Sequence, residues 1–324
     1  MDVAVKNEGV MQGGFSIQFS PLQGYTDAVY RRAHARFFGG VECYYSPFVR
    51  IEHGEIRRKD MRDIEPENNE NLSLVPQFIA SDRDKAEHIL SLFVEKGYRN
   101  ANLNLGCPFP VLARRHNGAG MLPYPDEVES LLTGVAEGFP QLSLSVKLRL
   151  GWDSPDECLA LLPLLNRLPL SAVILHPRLG RQQYKGSVDL DAFAAFYDAC
   201  EKPLFYNGDL LSADDISDIH ERFPRLAGVA VGRGLLANPA LALEYRQGSA
   251  LPEAEKMERI RKMHDFVFDA YSRQLQGGDA QLLTKMKSFW DYLLPDADRK
   301  ARKAVLKATK LGAYHAAVSS LTGK

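Results

Sequence analysis

Cysteine is scarce and scattered in this sequence: four thiols, Cys43, Cys107, Cys158 and Cys200, occur in 324 residues. No two stand as Cys-x-x-Cys and none pairs with a histidine at zinc spacing. Neither a disulfide framework nor a metal site is therefore expected, and a reducing, cytoplasmic setting is the natural one. Long apolar runs are also missing. Nothing approaches the ~18 uninterrupted apolar residues of a membrane span, so no membrane association is expected. Residues 1–16 lack the basic start and apolar middle of a secretion signal and read as a flexible amino-terminal extension. No Gly-rich G-x-G-x-x-G fingerprint follows the first strand-like run, which counts against an open doubly wound dinucleotide fold. Charge of one sign is lacking overall, with a net charge of −1. The balance is nevertheless uneven: from Leu251 onward there are 14 Lys and Arg against 9 Asp and Glu, leaving 26 against 32 before it.

What is present has the profile of a folded globular protein, 45% hydrophobic and 25% charged. Eight apolar, β-branched-rich runs recur: 15–20, 41–47, 74–79, 101–105, 142–148, 172–176, 203–206 and 228–231. Amphipathic segments follow most of them, at 26–37, 82–96, 125–137, 155–168, 189–199 and 213–222. Eight strand-helix units in about 250 residues predict an α/β fold closed as a (β/α)8 TIM barrel. After Leu251 the pattern is helical throughout. A long helix from Glu253 carries apolar positions at Ile260, Met263, Phe266, Val267 and Tyr271, breaks at Gly277-Gly278, and is followed by shorter ones. The predicted organisation is an extension (1–16), a barrel (17–250) and a small all-α bundle (251–324). In that bundle Arg299, Lys300, Arg302, Lys303, Lys307 and Lys310 crowd one helix, with Lys285 and Lys287 upstream, forming either a solvated face or a phosphate-backbone contact surface.

The carboxyl ends of the strands are where a barrel does its chemistry. Here they read Ser20-Pro21-Leu22-Gln23-Gly24, Pro76-Gln77, Asn104-Leu105-Gly106-Cys107-Pro108, Val146-Lys147-Leu148-Arg149, Leu175-His176-Pro177-Arg178, Tyr206-Asn207-Gly208-Asp209 and Val231-Gly232-Arg233-Gly234. Singly, each has an ordinary explanation: a buried structural cysteine, a satisfied core histidine, a common turn. Lys147 does not. Alternation with Val146 and Leu148 turns it into the barrel, where a lysine needs an anion. The last two stretches follow strands seven and eight, where barrels frequently hold a phosphate. The set implies a phosphate-bearing cofactor, with a lysine and histidine at its polar edge and the Cys107 thiol facing whatever binds above it. Neighbouring amides suit a flavin with one phosphate, FMN, whose reduced ring carries negative charge. A pyridoxal phosphate barrel also satisfies these residues.

The ordered motifs resemble a known family. Pro21 to Asp27 with Tyr30-Arg31, Asn104 to Pro108, Gly118-Ala119-Gly120-Met121-Leu122, Val146 to Trp152, Tyr206 to Asp209 and Val231 to Gly234 together resemble the bacterial tRNA-dihydrouridine synthases over residues 17 to about 240. The helical tail is similar to that family's RNA-binding domain. The resemblance implies an FMN-dependent enzyme that reduces the C5–C6 bond of selected uridines in tRNA with NADPH, needing no stable protein partner. Carried over by position, it makes Cys107 the proton donor to C5. Pro21, Leu22, Gln23, Gln77, Lys147, His176, Asn207, Gly208, Asp209, Gly232 and Arg233 become the flavin shell. Asn104, Arg115 and Arg178, with Arg299, Arg302 and Lys303 of the tail, are the expected RNA contacts, and the loop of Arg115 and His116 is expected to close over the uridine.

Two stretches depart from the family pattern. Ser20-Pro21-Leu22 replaces Ala-Pro-Met, and His176-Pro177-Arg178-Leu179 replaces His-Gly-Arg-Thr, removing an amide and a hydroxyl. Two rival functions fit the same motifs less fully: an FMN barrel acting on a small molecule, which needs no basic tail, and an RNA-binding barrel without catalysis.

Overall fold

The computed structural model describes residues 14–323. Of the expected extension, residues 1–13 lie outside the described residues. Ser16 does not belong to it, because its amide already donates to the Ala227 carbonyl at 3.0 Å and begins the first strand.

One parallel sheet closes on itself as a TIM barrel. Its staves are β1 (Ser16–Phe19), β2 (Cys43–Tyr45), β3 (Leu74–Val75 and Gln77–Phe78, divided at Pro76), β4 (Asn100–Leu105), β5 (Ser143–Gly151), β6 (Ala172–Leu179), β7 (Leu204–Tyr206) and β8 (Gly228–Val231). β8 pairs back onto β1, with Ser16 opposite Gly228. Closure on the other side runs through β3. Its first half pairs with β2 and its second with β4, and Pro76, which has no amide to donate, stands at the changeover. The Pro76 carbonyl still accepts from the Asn102 amide at 3.0 Å, so the ladder continues across the break.

The helices that follow the strands are α1 (Ala28–Phe37), α2 (Arg83–Glu95), α3 (Pro125–Gly138), α4 (Asp156–Arg167), α5 (Leu190–Ala199) and α6 (Ala213–Arg222). The starts of all but α4 are legible because each carries a start signal. Asp27, Asp82 and Asp189 cap with their carboxylates, Ser212 with Asp215 makes a capping box, and Pro125 opens α3. Strand residues pointing outward, such as Phe19, Leu103, Val146, Leu175 and Val229, pack with the helices into one apolar core.

The barrel interior is divided. Tyr45, Ala172, Ile174, Phe205 and Ala230 form a small apolar plug. The remaining inward positions carry a polar ladder: Tyr45 Oη donates to Gln18 Oε1 at 2.9 Å, Gln77 Nε2 to Asn102 Oδ1 at 2.7 Å, and Asn102 Nδ2 to Ser145 Oγ at 2.8 Å. Buried amides tolerate this interior because each is bonded.

β5 and β6 run three residues beyond their predicted ends, pairing as far as Gly151 opposite Leu179 past an irregularity. Arg149 and Arg178 are therefore strand residues, not loop residues, with Arg149 in register with His176.

Two short helices, α7 (Arg233–Ala237) and α8 (Leu241–Gln247), lead into α9 (Glu253–Gln274), α10 (Gly278–Trp290), α11 (Arg299–Lys307) and α12 (Leu311–Thr322). The tail packs through Ile260, Met263, Val267, Met286, Trp290, Val305 and Tyr314, which join the barrel's own core. Tyr314 Oη accepts from Trp290 Nε1 at 2.9 Å. Phe266, also expected to be apolar-facing, is only partly buried. It meets Phe37 edge-on, with the Arg32 and Arg36 guanidiniums over its ring.

Candidate active site

The strand ends open onto a cleft with about 890 Å³ of open space. Its wall includes Cys107 and every residue of the expected flavin shell: Pro21, Leu22, Gln23, Gln77, Lys147, His176, Asn207, Gly208, Asp209, Gly232 and Arg233.

Cys107 stands just past β4 and is held from two sides. Asn104 Oδ1 accepts the amides of Gly106 at 3.0 Å and Cys107 at 2.8 Å, while its Nδ2 donates to Gln77 Oε1 at 2.7 Å. Arg149 Nε donates to the Gly106 carbonyl at 2.9 Å. The following loop is fastened to the thiol's own backbone, with the Ala119 amide donating to the Cys107 carbonyl at 3.0 Å. At Gly118 the chain has φ +60, and a Cβ there would lie 2.7 Å from that carbonyl oxygen, so the Gly118 to Leu122 motif must begin with glycine. Burial pushes the Cys107 thiol upward in pKa, against the lowering pull of the Phe109 amide and nearby Arg149. The group is a protonated thiol at neutral pH.

Across the cleft the walls are cationic. Lys147 is in register with Asn104 on one side and Ile174 on the other. Burial, then the Arg149 charge, lower its pKa to about 7. It forms no ion pair among the described residues, so an anion arriving at its Nζ would meet an uncompensated site. His176 is pushed well below the ordinary histidine range by burial and by Arg149, Lys147 and Arg178, and is neutral. Its Nε2 lies 3.1 Å from Arg178 Nη1. Arginine can only donate, which assigns the imidazole proton to Nδ1 as a donor.

Asp209, at φ 44, bridges Arg178 and Arg233, with its contact to Arg233 Nη2 at 2.6 Å. Burial acts to raise this carboxyl, but Arg178 and Arg233 hold it below the usual range. The bridge fixes Arg233 beside the backbone of Gly208 and Gly232. The helix after β8 is only five residues long. A phosphate there would therefore rely on loop amides and Arg233 rather than on a long helix dipole.

The first loop is also preset. Gly24 has φ 93, the Leu22 amide donates to Thr26 Oγ1 at 2.9 Å, and Arg31 reaches back to the Thr26 carbonyl at 2.7 Å. Arg31 is buried against Asp63 and Asn69. Its place in the Tyr30-Arg31 motif is thus as a support for this loop.

Several expected substrate contacts sit elsewhere. Arg178 is 2% exposed and absent from the cleft wall. Its guanidinium is used by Asp209, His176 and the Gly186 carbonyl, so it positions neighbours and has no reach to a substrate. Arg115 is exposed on the loop beyond Cys107, away from the wall, while His116 beside it stacks on Tyr124 and pairs with Glu127. On α11, Arg299 and Lys303 are exposed, but Arg302 is half-buried and donates to the Trp290 and Asp291 carbonyls at 3.0 and 2.6 Å, closing the end of α10. Lys285 is likewise engaged, with Asp27 at 2.8 Å.

Two wall residues escaped the sequence reading. Arg149 shares the inward phase of Lys147, two positions earlier, a signal that alternation supplies once β5 is extended. Tyr184 returns to the cleft from the loop after β6, with Arg149 and Arg233 guanidiniums 5.4 and 4.6 Å from its ring centre, and no periodicity could place it.

With the geometry in hand, comparison with known proteins decides the family. Residues 18–305 match the family model described as dihydrouridine synthase. The chain belongs to the dihydrouridine synthase family. It is 25% identical to tRNA-dihydrouridine synthase B of Pasteurella multocida over 69% of this chain and 67% of the relative. It is 28% identical to the tRNA-dihydrouridine(16) synthase of Neisseria meningitidis over 71% of each. Among solved structures it is similar to morphinone reductase, with a TM-score of 0.51 and 13% identity over 73% of this chain and 86% of that one. A 2-naphthoyl-CoA reductase complex gives 0.55 and 10%, covering 74% and 50%. At that identity the likeness is one of fold. No described helix is long and apolar enough to cross a membrane.

Proposed function

We propose that this chain is an FMN-dependent reductase of uridine in tRNA, converting the C5–C6 double bond to 5,6-dihydrouridine with NADPH as the electron donor. The observation that carries the reading is a protonated thiol fixed at one strand end, facing a cleft whose Lys147 and Arg149 have no carboxylate partner among the described residues, its one wall carboxylate, Asp209, being engaged by Arg178 and Arg233. The cleft fits FMN. Lys147 is a half-buried amine with no ion-pair partner among the described residues, placed where a flavin's electron-rich edge would lie. Gln77 and Asn207 line the wall with amides fixed by Asn102, Asn104 and the Ala230 carbonyl, His176 offers an Nδ1 donor, and Gly208, Gly232 and Arg233 form a single phosphate site. Pro21, Leu22 and Gln23 supply the wall of the first loop, where Leu22 fills the volume of the family's methionine. When bound, FMN would supply the hydride that saturates the uracil ring.

The chain's own residues do the rest. Cys107 gives its proton to uracil C5 from the opposite face, a task suited to a thiol whose pKa burial raises. Asn104 and Arg149 keep the Gly106-Cys107 backbone in place while it does so. Arg149, with no carboxylate partner among the described residues, also faces the negative charge that grows toward the uracil carbonyl. The uridine must leave its stack to reach the thiol, at a cost of a few kcal/mol that RNA contacts offset. Residues 17–250 would hold the chemistry and residues 251–324 would supply those contacts through the exposed Arg299, Lys300, Lys303 and Lys307.

A reductase of small molecules on the same barrel would lack use for that tail. Purified protein should be yellow, and adding it with NADPH to tRNA from a strain lacking this gene should restore dihydrouridine at a defined position. Colourless protein that releases no flavin on denaturation, or yellow protein that reduces small enones but leaves tRNA unchanged, would contradict the proposal.

A further inference from the structure

Among the described residues, the large apolar side chains left exposed are Phe109, Val111, Tyr124, Tyr184 and Leu211. All five lie on the segments that follow β4, β6 or β7, Val111 in the one-turn helix Pro110–Ala113, on the face where the cleft opens. Exposed apolar residues are ordinary when scattered, but their confinement to one rim is not. Three of them, Phe109, Val111 and Tyr124, share the segment that begins at Cys107.

We infer that Phe109 and Tyr124 form a stacking platform for the unstacked nucleotides that flank the target uridine in the RNA strand, an inference that rests on the proposed tRNA activity. The segment is fixed relative to the thiol: the Ala119 amide bonds the Cys107 carbonyl, and Gly118 packs on Cys107 without room for a Cβ. Tyr124 is half of a stack already, 3.9 Å from the His116 ring at 13°, with Glu127 2.8 Å from His116 Nδ1. At 42% exposure it keeps ring surface open. Phe109 is 55% exposed two residues after the thiol.

Arg114 and Arg115 stand exposed between these two residues in sequence and enter no ion pair among the described residues. Aromatic faces interleaved with free arginines match a single strand, whose bases stack while its phosphates meet the cations. A protein partner or a second copy would favour an apolar centre depleted of charge, which the two arginines interrupt.

The test uses the full flavin-loaded chain and two probes: unmodified tRNA transcript, and the same transcript with abasic residues on both sides of the uridine that the wild type modifies. The Phe109→Ala/Tyr124→Ala double variant should bind the intact transcript roughly tenfold to a hundredfold more weakly. It should show a raised KM with kcat little changed, and retain its flavin. Wild-type protein should lose a similar factor on the abasic transcript, and the double variant should lose little more on it, because both changes remove one interaction. Phe109→Trp should keep wild-type affinity. Unchanged tRNA affinity in the double variant, fully additive losses, or a wild-type dimer that the double variant dissociates would overturn the platform. Absence of dihydrouridine from every tRNA treated with wild-type protein would instead sink the parent activity.

Discussion

At the scale of single residues, burial and neighbouring charge set the protonation of the site's groups. Lys147 shows the consequence most clearly. Its folded pKa of about 7 lies below the ordinary lysine value. Between about pH 7 and 10.4 the unfolded chain therefore binds a proton that the folded one lacks, and this group's contribution to stability rises with pH across that window. An anionic ligand reverses the shift by favouring the ammonium. Affinity for reduced FMN, whose ring is anionic, should then be flat below neutrality and fall by up to about tenfold per pH unit above it. Titration calorimetry in buffers of different ionisation enthalpy should report proton uptake on binding, and Lys147→Gln should remove both effects. Affinity independent of pH between 7 and 9 would mean that Lys147 does not meet the ligand.

Asn104 gives a second residue-scale prediction. Asn104→Ala leaves the Gly106 and Cys107 amides without their acceptor, at a cost of about 1–3 kcal/mol. It should lower kcat through misplacement of the thiol while flavin content is kept. Wild-type turnover in this variant would show that the loop is held by other contacts. These residues were only partly legible from sequence. Lys147 stood out as a charge in an apolar strand, and Cys107 as a thiol at a glycine-proline turn. The buried use of Arg178 could not be read, because its partners, Asp209 and the Gly186 carbonyl, come from two other segments.

Among elements, the join between barrel and tail runs through the first loop of the cleft. Asp27 caps α1, accepts from Tyr271 Oη at 2.8 Å, and pairs with Lys285 at 2.8 Å, while Lys285 also donates to the Gly24 carbonyl at 3.1 Å. Burial works to raise the Asp27 carboxyl, and Lys285 holds it below its usual range. Its stabilisation is therefore present above the unfolded aspartate pKa and is lost as pH falls through the lower folded value. Lys285→Met, which strips the carboxylate of its cation, should cost about 3 kcal/mol. It should lower Tm and loosen the Gly24 turn, seen as faster hydrogen exchange across 22–27. An unchanged Tm would reduce this contact to a surface pair.

On α11, charge reversal at Arg299 and Lys303 should weaken tRNA binding and flatten its salt dependence without altering Tm. Reversal at Arg302 should instead destabilise the tail, since that guanidinium closes α10. Equal effects from all three would argue that α11 is a structural helix only. The elements were read from sequence almost to their ends where caps mark them, as at Ser212 and Asp189. Where no cap does, the apolar run understates the element: β5 and β6 continue past their runs because Arg149 and Arg178 find partners inside the barrel.

For the molecule as a whole, eight evenly spaced strand-helix units made the closed barrel legible, since few other folds use that many parallel strands in such a length. What sequence spacing left hidden was three-dimensional: a polar ladder from Tyr45 to Ser145, Tyr184 over two arginines, and a rim of exposed rings. The tail's basic excess opposite an acidic barrel is a feature of the whole chain and suits an extended polyanion touching both parts.

The central claim, that Cys107 acts as an acid in tRNA reduction, is tested most directly by Cys107→Ala under single-turnover conditions with flavin reduced beforehand and unmodified tRNA. The account predicts wild-type flavin content and tRNA affinity, with dihydrouridine formation slowed by about 10²-fold or more. Product forming at the wild-type rate would contradict it.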